Sequence, residues 1–449
     1  MIRKILKRVN ISKNKKNVAK ISTGTMLGQL ISLITLPVLT RIYGAEIFGI
    51  WALIHSLSLI INSFSDFGLS YSLMVEKDNK IPKGYKIIST ISLFISLLSS
   101  LILTLFYVFM NEDIMVSYSI FFVLIFLTSF LSQQVQICYT WLNRKEEYDV
   151  LMKNPILNQS IYSVVGIMLG FLGFVQYGFF IAHILGSFVT LINMKSKLPK
   201  GLVTFDFKEI YLYIRENRKF ALYQTPTNFS NNLKSQTPTL LINSLWGSEV
   251  LGYYSITIRI LKIPVTLLGQ AIGRVFFQVV TKMKRQGEEI GEYVLNNIFK
   301  AMKVSVLPII LLVAFGDIVT VLFLGEEWVV AGHFVMILAF QYFFMFLQSS
   351  VQGLAITIEK QKYAMIANLL QVIGIIVSLI VGKYLFDSIY LALILMVILF
   401  TIIHISYFCV LFKVMKVNRL SYVIKVVINS LIIILTSFIL RNIFNYIFN

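Results

Sequence analysis

The stretch Tyr43-Gly44-Ala45-Glu46-Ile47-Phe48-Gly49-Ile50-Trp51 returns, 203 residues later, as Trp246-Gly247-Ser248-Glu249-Val250-Leu251-Gly252-Tyr253-Tyr254. The shared pattern is aromatic-Gly-x-Glu-x-x-Gly-x-aromatic, with Gly44, Glu46, Gly49, Gly247, Glu249 and Gly252 as its fixed points. Each copy follows one long apolar segment and leads straight into another. Transporters are often built from internal repeats with the substrate path between them. Two unrelated interfacial loops are the competing reading, because such residues are common there anyway. The helix pattern around the two copies repeats as well, which favours duplication.

Outward from the repeat, composition sets the class. Of 449 residues, 57% are hydrophobic and only 14% are charged. That is well below the roughly 25% charge of soluble domains, and the apolar residues come in long runs, so the chain reads as a polytopic membrane protein. The 36 Phe and 22 Tyr suit lipid-facing and interfacial surfaces. Cys138 and Cys409 sit inside apolar runs without CxxC spacing and are expected to pack as small hydrophobes. The four histidines, His55, His183, His333 and His404, are scattered, so neither metal nor cofactor is expected.

Apolar segments of spanning length cover residues 18–40, 47–75, 87–110, 117–140, 156–174 and 177–194. A second set covers 219–245, 250–281, 301–324, 330–357, 364–382 and 388–412, and a thirteenth candidate lies at 423–445. The expected organisation is all-α: an N-terminal bundle over 1–194 with a basic lead-in at 1–17, and a cytoplasmic linker at 195–218. A C-terminal bundle over 219–412 and an extra segment at 413–449 complete it. The lead-in is not a cleaved signal peptide, since no small-residue site closes a short apolar core. It reads instead as a basic amphipathic stretch on the cytoplasmic leaflet.

Charge placement predicts orientation. With the N-terminus in the cytoplasm, inner segments hold 33 of the 40 Lys and Arg, and outer segments hold Arg41, Lys383 and Arg441. Outer loops carry acids, among them Glu46, Glu112, Asp113, Glu249, Glu326, Glu327 and Asp387. The net charge of +19 is thereby explained by topology rather than by nucleic-acid binding. Both copies of the repeat fall on the outer face with an even number of spans between them. That predicts a parallel repeat, related by an axis along the membrane normal.

Polar groups inside spans are costly and mark function by default. In the second segment His55, Asn62 and Asp66 fall within about 40° of one helix face. Asp66 lies too deep for a short side chain to reach the surface. The three are candidates for cation or proton coupling; bonding of Asp66 to Ser63 or Ser70, and simple packing of His55, are the plain alternatives. The seventh segment carries Gln224, Asn228, Asn231 and Ser235 at i, i+4, i+7, i+11. Amides offer donor and acceptor together, which suits sugar hydroxyls. Pro226 and Pro238 are expected to break or bend this helix. Lys234 lies near its middle. The eighth segment carries Arg259, Lys262 and Arg274 within about 120° of one face and over roughly 22 Å of axis. A cation ladder suits an anionic passenger, with Arg matching phosphate through its planar fork. Snorkelling of Arg274 and pairing of Arg259 with an acid such as Asp66 are the alternatives.

These residues carry a resemblance. Gly24-x-x-x-Gly28-Gln29-Leu30-Ile31-Ser32, then Leu36-Pro37-x-Leu39-Thr40-Arg41-x-Tyr43-Gly44-x-Glu46-x-Phe48-Gly49, resembles the polysaccharide-exporter family. Asp66-Phe67-Gly68-Leu69 and Gly325-Glu326-Glu327-Trp328 fit as well. These are Wzx-type O-antigen or capsule repeat-unit flippases, within the multidrug/oligosaccharidyl-lipid/polysaccharide superfamily. The resemblance extends to about residue 412. It implies two six-helix bundles around a central cavity opened alternately to either face. The parallel repeat and one C-terminal helix at 423–445 come from the residues, and the thirteenth span departs from the family's usual twelve or fourteen. It also implies an inner-membrane carrier of undecaprenyl-pyrophosphate-linked oligosaccharide, not an enzyme. A cationic cavity made by Arg259, Lys262, Lys234 and Arg274 would hold the pyrophosphate. Expected partners are the lipid bilayer, a polysaccharide polymerase and a chain-length regulator, as in lipopolysaccharide or capsule assembly. A multidrug exporter of the same superfamily is the alternative and should prefer an acid-lined cavity. A polymerase is disfavoured by the short external loops, and a scramblase would be indifferent to ion gradients.

Overall fold

The computed structural model describes residues 2–76, 79–109, 116–201 and 203–448, with residues 2–19 and 448 by backbone alone. Glu112 and Asp113, expected in an outer loop, and the side chains of the basic lead-in lie outside the described residues. The chain divides into two compact units, Met1–Gln236 and Thr237–Asn449.

In the first unit the helices are α1 (Ile2–Ile42), α2 (Ala45–Asn62), α3 (Ile81–Phe109), α4 (Tyr118–Arg144), α5 (Tyr148–Phe171), α6 (Val175–Met194) and α7 (Phe207–Glu216). The long α8 (Arg218–Pro264) begins in the first unit and ends in the second. The second unit continues with α9 (Gln270–Arg285), α10 (Gly291–Leu324), α11 (Val329–Ser350), α12 (Leu354–Thr357), α13 (Gln361–Tyr384), α14 (Ile389–Val414) and α15 (Arg419–Phe448). No strand occurs among the described residues.

Among the described residues, eleven helical stretches are long and apolar enough to cross a membrane. One of them, Arg218–Arg285, is 68 residues long and holds two of the spans read from sequence. Gly247, at φ 84° and ψ 176°, breaks its helical geometry between them. α5 falls outside the eleven because Asp149, Lys153, Asn154, Asn158 and Gln159 make its first half polar.

α3 shows why these helices belong in lipid. Its Ser89, Ser92, Ser96 and Ser100 are buried, while Phe94, Leu98, Leu101 and Leu105 are exposed. That is the reverse of a soluble helix, and it leaves no penalty only where the surrounding solvent is hydrocarbon. Small residues then let helices approach. A Cβ at Gly24 of α1 would lie 2.1 Å from the Met152 carbonyl oxygen of α5, and one at Gly28 would lie 2.9 Å from that of Pro155. The apolar core of the first unit sits where α3 and α4 meet the 69–74 segment, with Leu69, Ile88, Ile137 and Trp141 buried together.

Two local features depart from the sequence reading. The second span does not run as one helix to residue 75: α2 ends at Asn62, and a turn leads to a 3₁₀ helix, Leu69–Met74. Phe67 and Gly68 there take φ 49° and 65°, a left-handed pair that no α-helix can continue through. Pro226 and Pro238 do not interrupt α8, whose one non-helical residue is Gly247. Proline removes a single hydrogen bond at each place, and the surrounding turns hold.

Candidate functional site

The first unit contains a cavity of about 450 Å³, within the size range of small-molecule sites. Leu59 and Asn62 of α2 line one side, followed by Ser63, Asp66, Ser70 and Tyr71 from the turn and 3₁₀ helix. Ser132, Gln133, Gln136 and Thr140 come from α4, and Asn228, Asn231 and Asn232 from the start of α8.

The turn owes its shape to Asp66. Its buried carboxylate accepts from the Gly68 amide at 2.9 Å and the Ser70 amide at 3.1 Å, and from the Ser70 hydroxyl. Short-range bonding of this kind is how Asp stabilises turns and helix starts. α8 also comes close at Gly68, since a Cβ there would meet Gln224 Cβ at 2.9 Å. Asn232 Nδ2 donates to the Leu59 carbonyl at 3.0 Å, and the Phe64 and Phe229 rings lie 6.3 Å apart. α2, the turn and the start of α8 are thereby fixed to one another.

Asn62 joins α2 to α4. Oriented to satisfy both ends of its amide, its nitrogen faces the Ser129 and Ser58 carbonyls at 3.0 and 3.3 Å, and its oxygen faces Ser132 Oγ at 2.8 Å. Gln224 Nε2 donates to Asn228 Oδ1 at 3.0 Å and so holds that amide in place. What remains is a wall of amide and hydroxyl groups, each able to give and accept hydrogen bonds.

Of the coupling candidates, Asp66 and Asn62 line this cavity, while His55 lies against Trp51 with ring centroids 5.8 Å apart. Since α2 ends at Asn62, the three do not form one continuous helical stripe. Of the amide stripe, Asn228 and Asn231 line the cavity, Gln224 supports Asn228, and Ser235 donates to the Asn232 carbonyl at 3.0 Å instead. Sequence reasoning missed the α4 contribution. Its signal was present: Ser132, Gln136 and Thr140 recur at i, i+4 and i+8, with Gln133 beside them.

None of the four cations lines this cavity. Lys234 lies in the first unit, half-buried. In the second unit, Arg259 is half-buried on α8, with Lys262 exposed three residues further on. Arg274 is exposed on α9. A π-helical turn, Val265–Gly269, separates them directly after Pro264. A π turn advances less per residue than an α turn, so the single face inferred for Arg259, Lys262 and Arg274 does not carry across it. The turn packs tightly in place: Cβ atoms at Gly269 and Gly273 would lie 2.0 Å from Ser349 Oγ and 2.1 Å from the Ser349 carbonyl oxygen of α11.

The repeat glycines mark equivalent joints in the chain. Gly44 caps the start of α2 in an extended conformation, φ −66° and ψ 170°, with Glu46 in the first turn. Gly247 makes the break in α8, and Glu249 accepts from the Tyr253 hydroxyl at 2.9 Å. Gly49 and Gly252 are buried one turn further on.

Comparison with known proteins agrees with this architecture. The profile of the family described as polysaccharide biosynthesis protein matches residues 38–333. The teichuronic acid biosynthesis protein TuaB of Bacillus subtilis (strain 168) is 30% identical over 120 residues, 27% of this chain and 25% of that protein. The match therefore spans about a quarter of that relative's length. Among solved structures, the lipid II flippase MurJ in an inward closed conformation superposes with a TM-score of 0.70 at 14% identity, over 94% of this chain and 98% of that one. An inward-facing multidrug resistance MATE family transporter of the MOP superfamily gives 0.52 at 15% identity, over 88% and 95%. At these identities the likeness is one of fold. With the family profile matching residues 38–333 of 449, the chain belongs to the polysaccharide biosynthesis protein family.

Proposed function

We propose that the chain is a flippase for lipid-linked oligosaccharide, with undecaprenyl-pyrophosphate-linked O-antigen or capsule repeat units as its cargo. It moves them from the inner to the outer leaflet of the bacterial cytoplasmic membrane by ion-coupled alternating access, with its N-terminus in the cytoplasm. Residues 1–194 and 219–412 act as the two transport bundles, 195–218 as their linker and 413–449 as an added segment. A polymerase and a chain-length regulator receive the product.

The observation that carries this reading is the amide and hydroxyl wall of the first-unit cavity. Sugars need many weak two-way hydrogen bonds, and Asn228, Asn231, Asn232, Gln133 and Gln136 supply them. The pyrophosphate is assigned elsewhere, to Arg259 and Lys262 with Lys234 and Arg274, since the cavity lining holds no cation. Sugar recognition and anion recognition are thus separate jobs. One observation favours the second reading, a cation exporter of the same superfamily: the one charged side chain lining the cavity is Asp66.

The test follows lipid-linked oligosaccharide across the membrane in cells deleted for this protein. They are complemented with wild type, Arg259→Ala, or Asn228→Leu with Asn231→Leu, and leaflet sidedness is scored. Inner-leaflet accumulation that wild type relieves and both variants fail to relieve is expected. Normal sidedness in the deletion strain, with restored efflux of small cations by wild type, would replace this reading by the second.

A further inference from the structure

The segment between the sixth and seventh spans follows a path that a surface linker has no reason to take. α3 provides a depth scale beside it. Lys80, Lys83 and Lys86 mark its first turns, and apolar residues follow from Ile87 onward. Lysines at a span's end hold their ammonium groups at headgroup level. Phe94 lies about 12 Å further along the helix axis than Lys86.

The chain descends this scale and returns. Gly201 lies against the end of the Lys86 side chain, 3.4 Å from where its Cβ would stand. The Thr204 amide donates to Thr90 Oγ1 at 2.9 Å, one turn deeper. The Phe205 ring meets Phe94 edge-on at 6.5 Å, one turn deeper again. Asp206 then caps α7 by accepting from the Glu209 amide at 3.0 Å, which reverses the chain. α7 climbs back: Glu209 pairs with Lys83 at 2.5 Å, and Glu216 pairs with Lys80 at 3.3 Å. The partners on α3 thus run 86, 90, 94 and then 83, with Lys80 just before its start.

α7 presents unlike faces. Ile210, Tyr213 and Ile214 pack on the core of the first unit. Phe205, Phe207 and Tyr211 are 61%, 70% and 63% exposed, and the latter two stand one turn apart on one flank. Lys208 and Arg215 are exposed on the next face. An aromatic flank beside a cationic one is the make-up of a helix lying in a membrane interface with anionic headgroups above it.

We propose that residues 203–216 form a membrane-dipping hook, with Phe205 and Phe207 in the acyl region and Tyr211, Lys208 and Arg215 among the headgroups. The bilayer itself is the partner of this surface. The hook also grips the cavity described above. The Tyr213 hydroxyl lies 2.6 Å from Ser72 Oγ, on the same 3₁₀ helix whose Ser70 and Tyr71 line that cavity. Lipid thereby holds one cavity wall, whatever the cargo.

The test uses the full chain with Cys138→Ala and Cys409→Ala, carrying one spin-labelled cysteine in vesicles of phosphatidylethanolamine and phosphatidylglycerol. Labels are placed by Phe207→Cys, Tyr211→Cys, Lys200→Cys and, as a lipid-facing reference on α3, Leu98→Cys. The ratio of collision with oxygen to collision with a water-soluble nickel chelate reads depth. The expected ratio at 207 approaches that at 98 and exceeds that at 200, with 211 between them. A ratio at 207 equal to that at 200 would put the hook in water and overturn the proposal. Shielding of 207 from both reagents would also overturn it, because protein rather than lipid would then cover the surface. Phe207 makes no ring contact among those described, so its replacement leaves the fold in place.

Discussion

The Asp66 carboxylate meets three donors within four residues: the Gly68 and Ser70 amides and the Ser70 hydroxyl. Each donor is buried, so removing the acceptor leaves groups that water cannot satisfy. Asp66→Ala should therefore cost roughly 2–4 kcal/mol, read as a lowered thermal midpoint in detergent. Asp66→Asn keeps one acceptor oxygen and should cost about 1 kcal/mol. Equal midpoints for the two variants would show that these donors do not hold the turn. The residue stood out in the chain as a deep carboxylate, and its bonding to Ser70 was one of the readings open to it. Its structural job was legible only in part: Asn62-Ser63-Phe64-Ser65-Asp66-Phe67-Gly68 carries the Asn, Ser, Asp and Gly typical of a turn, but Phe64, Phe67 and Leu69 keep the hydropathy of a span. The stop comes from the left-handed pair Phe67 and Gly68, a backbone property that hydropathy does not report. The Asn and Gln groups of the cavity were legible on α8, where amides and hydroxyls crowd one span. On α4 the same chemistry, Ser132-Gln133-Gln134-Val135-Gln136, escaped notice because the Phe and Leu before it set the hydropathy of the span.

At the scale of elements, the two copies of the repeat make the same joint with different backbones. Gly44 has an ordinary φ of −66° and nothing within 4 Å of a added Cβ, so Gly44→Ala should be neutral within about 0.5 kcal/mol. Gly247 also has open space, but its φ of 84° and ψ of 176° belong almost wholly to glycine. Gly247→Ala should cost roughly 1–3 kcal/mol through strain alone. Thermal midpoints of the two single variants, measured side by side, check the contrast; equal losses would refute it. The motif made both glycines look alike, since letters do not disclose ψ or the sign of φ. Span positions were legible because hydrocarbon selects long apolar runs regardless of partners. The π turn after Pro264 and the dip of 203–216 were not, since both depend on which helix lies alongside.

For the whole molecule, the open point in the chain was whether the segment at 423–445 crosses the membrane. Its neighbour answers in register. Asn429 reaches Met302 Sδ at 3.9 Å, Ser437 donates to the Ile310 carbonyl at 3.1 Å, and Arg441 reaches the Ala314 carbonyl at 3.5 Å. Each pair is separated by 127 residues, so α15 and α10 run parallel and keep level with each other. Arg441 then closes a two-armed ion pair on Asp317, at 2.9 and 2.7 Å. Sequence showed Arg441 only as a flanking cation, because its partner lies on another helix 124 residues away. A half-buried pair of this kind adds little net stability, yet it fixes which residues face each other. A helix parallel to one long and apolar enough to span, and matched to it over more than three turns, is expected to cross with it. A cysteine at Tyr446 should therefore be labelled by an impermeant maleimide from the same membrane face as one at Glu326, at the end of α10. A cysteine at Lys416, between α14 and α15, should be labelled only from the opposite face. Labelling of 446 and 416 from one face would show that α15 lies along the membrane, and the register with α10 would then have to be given up.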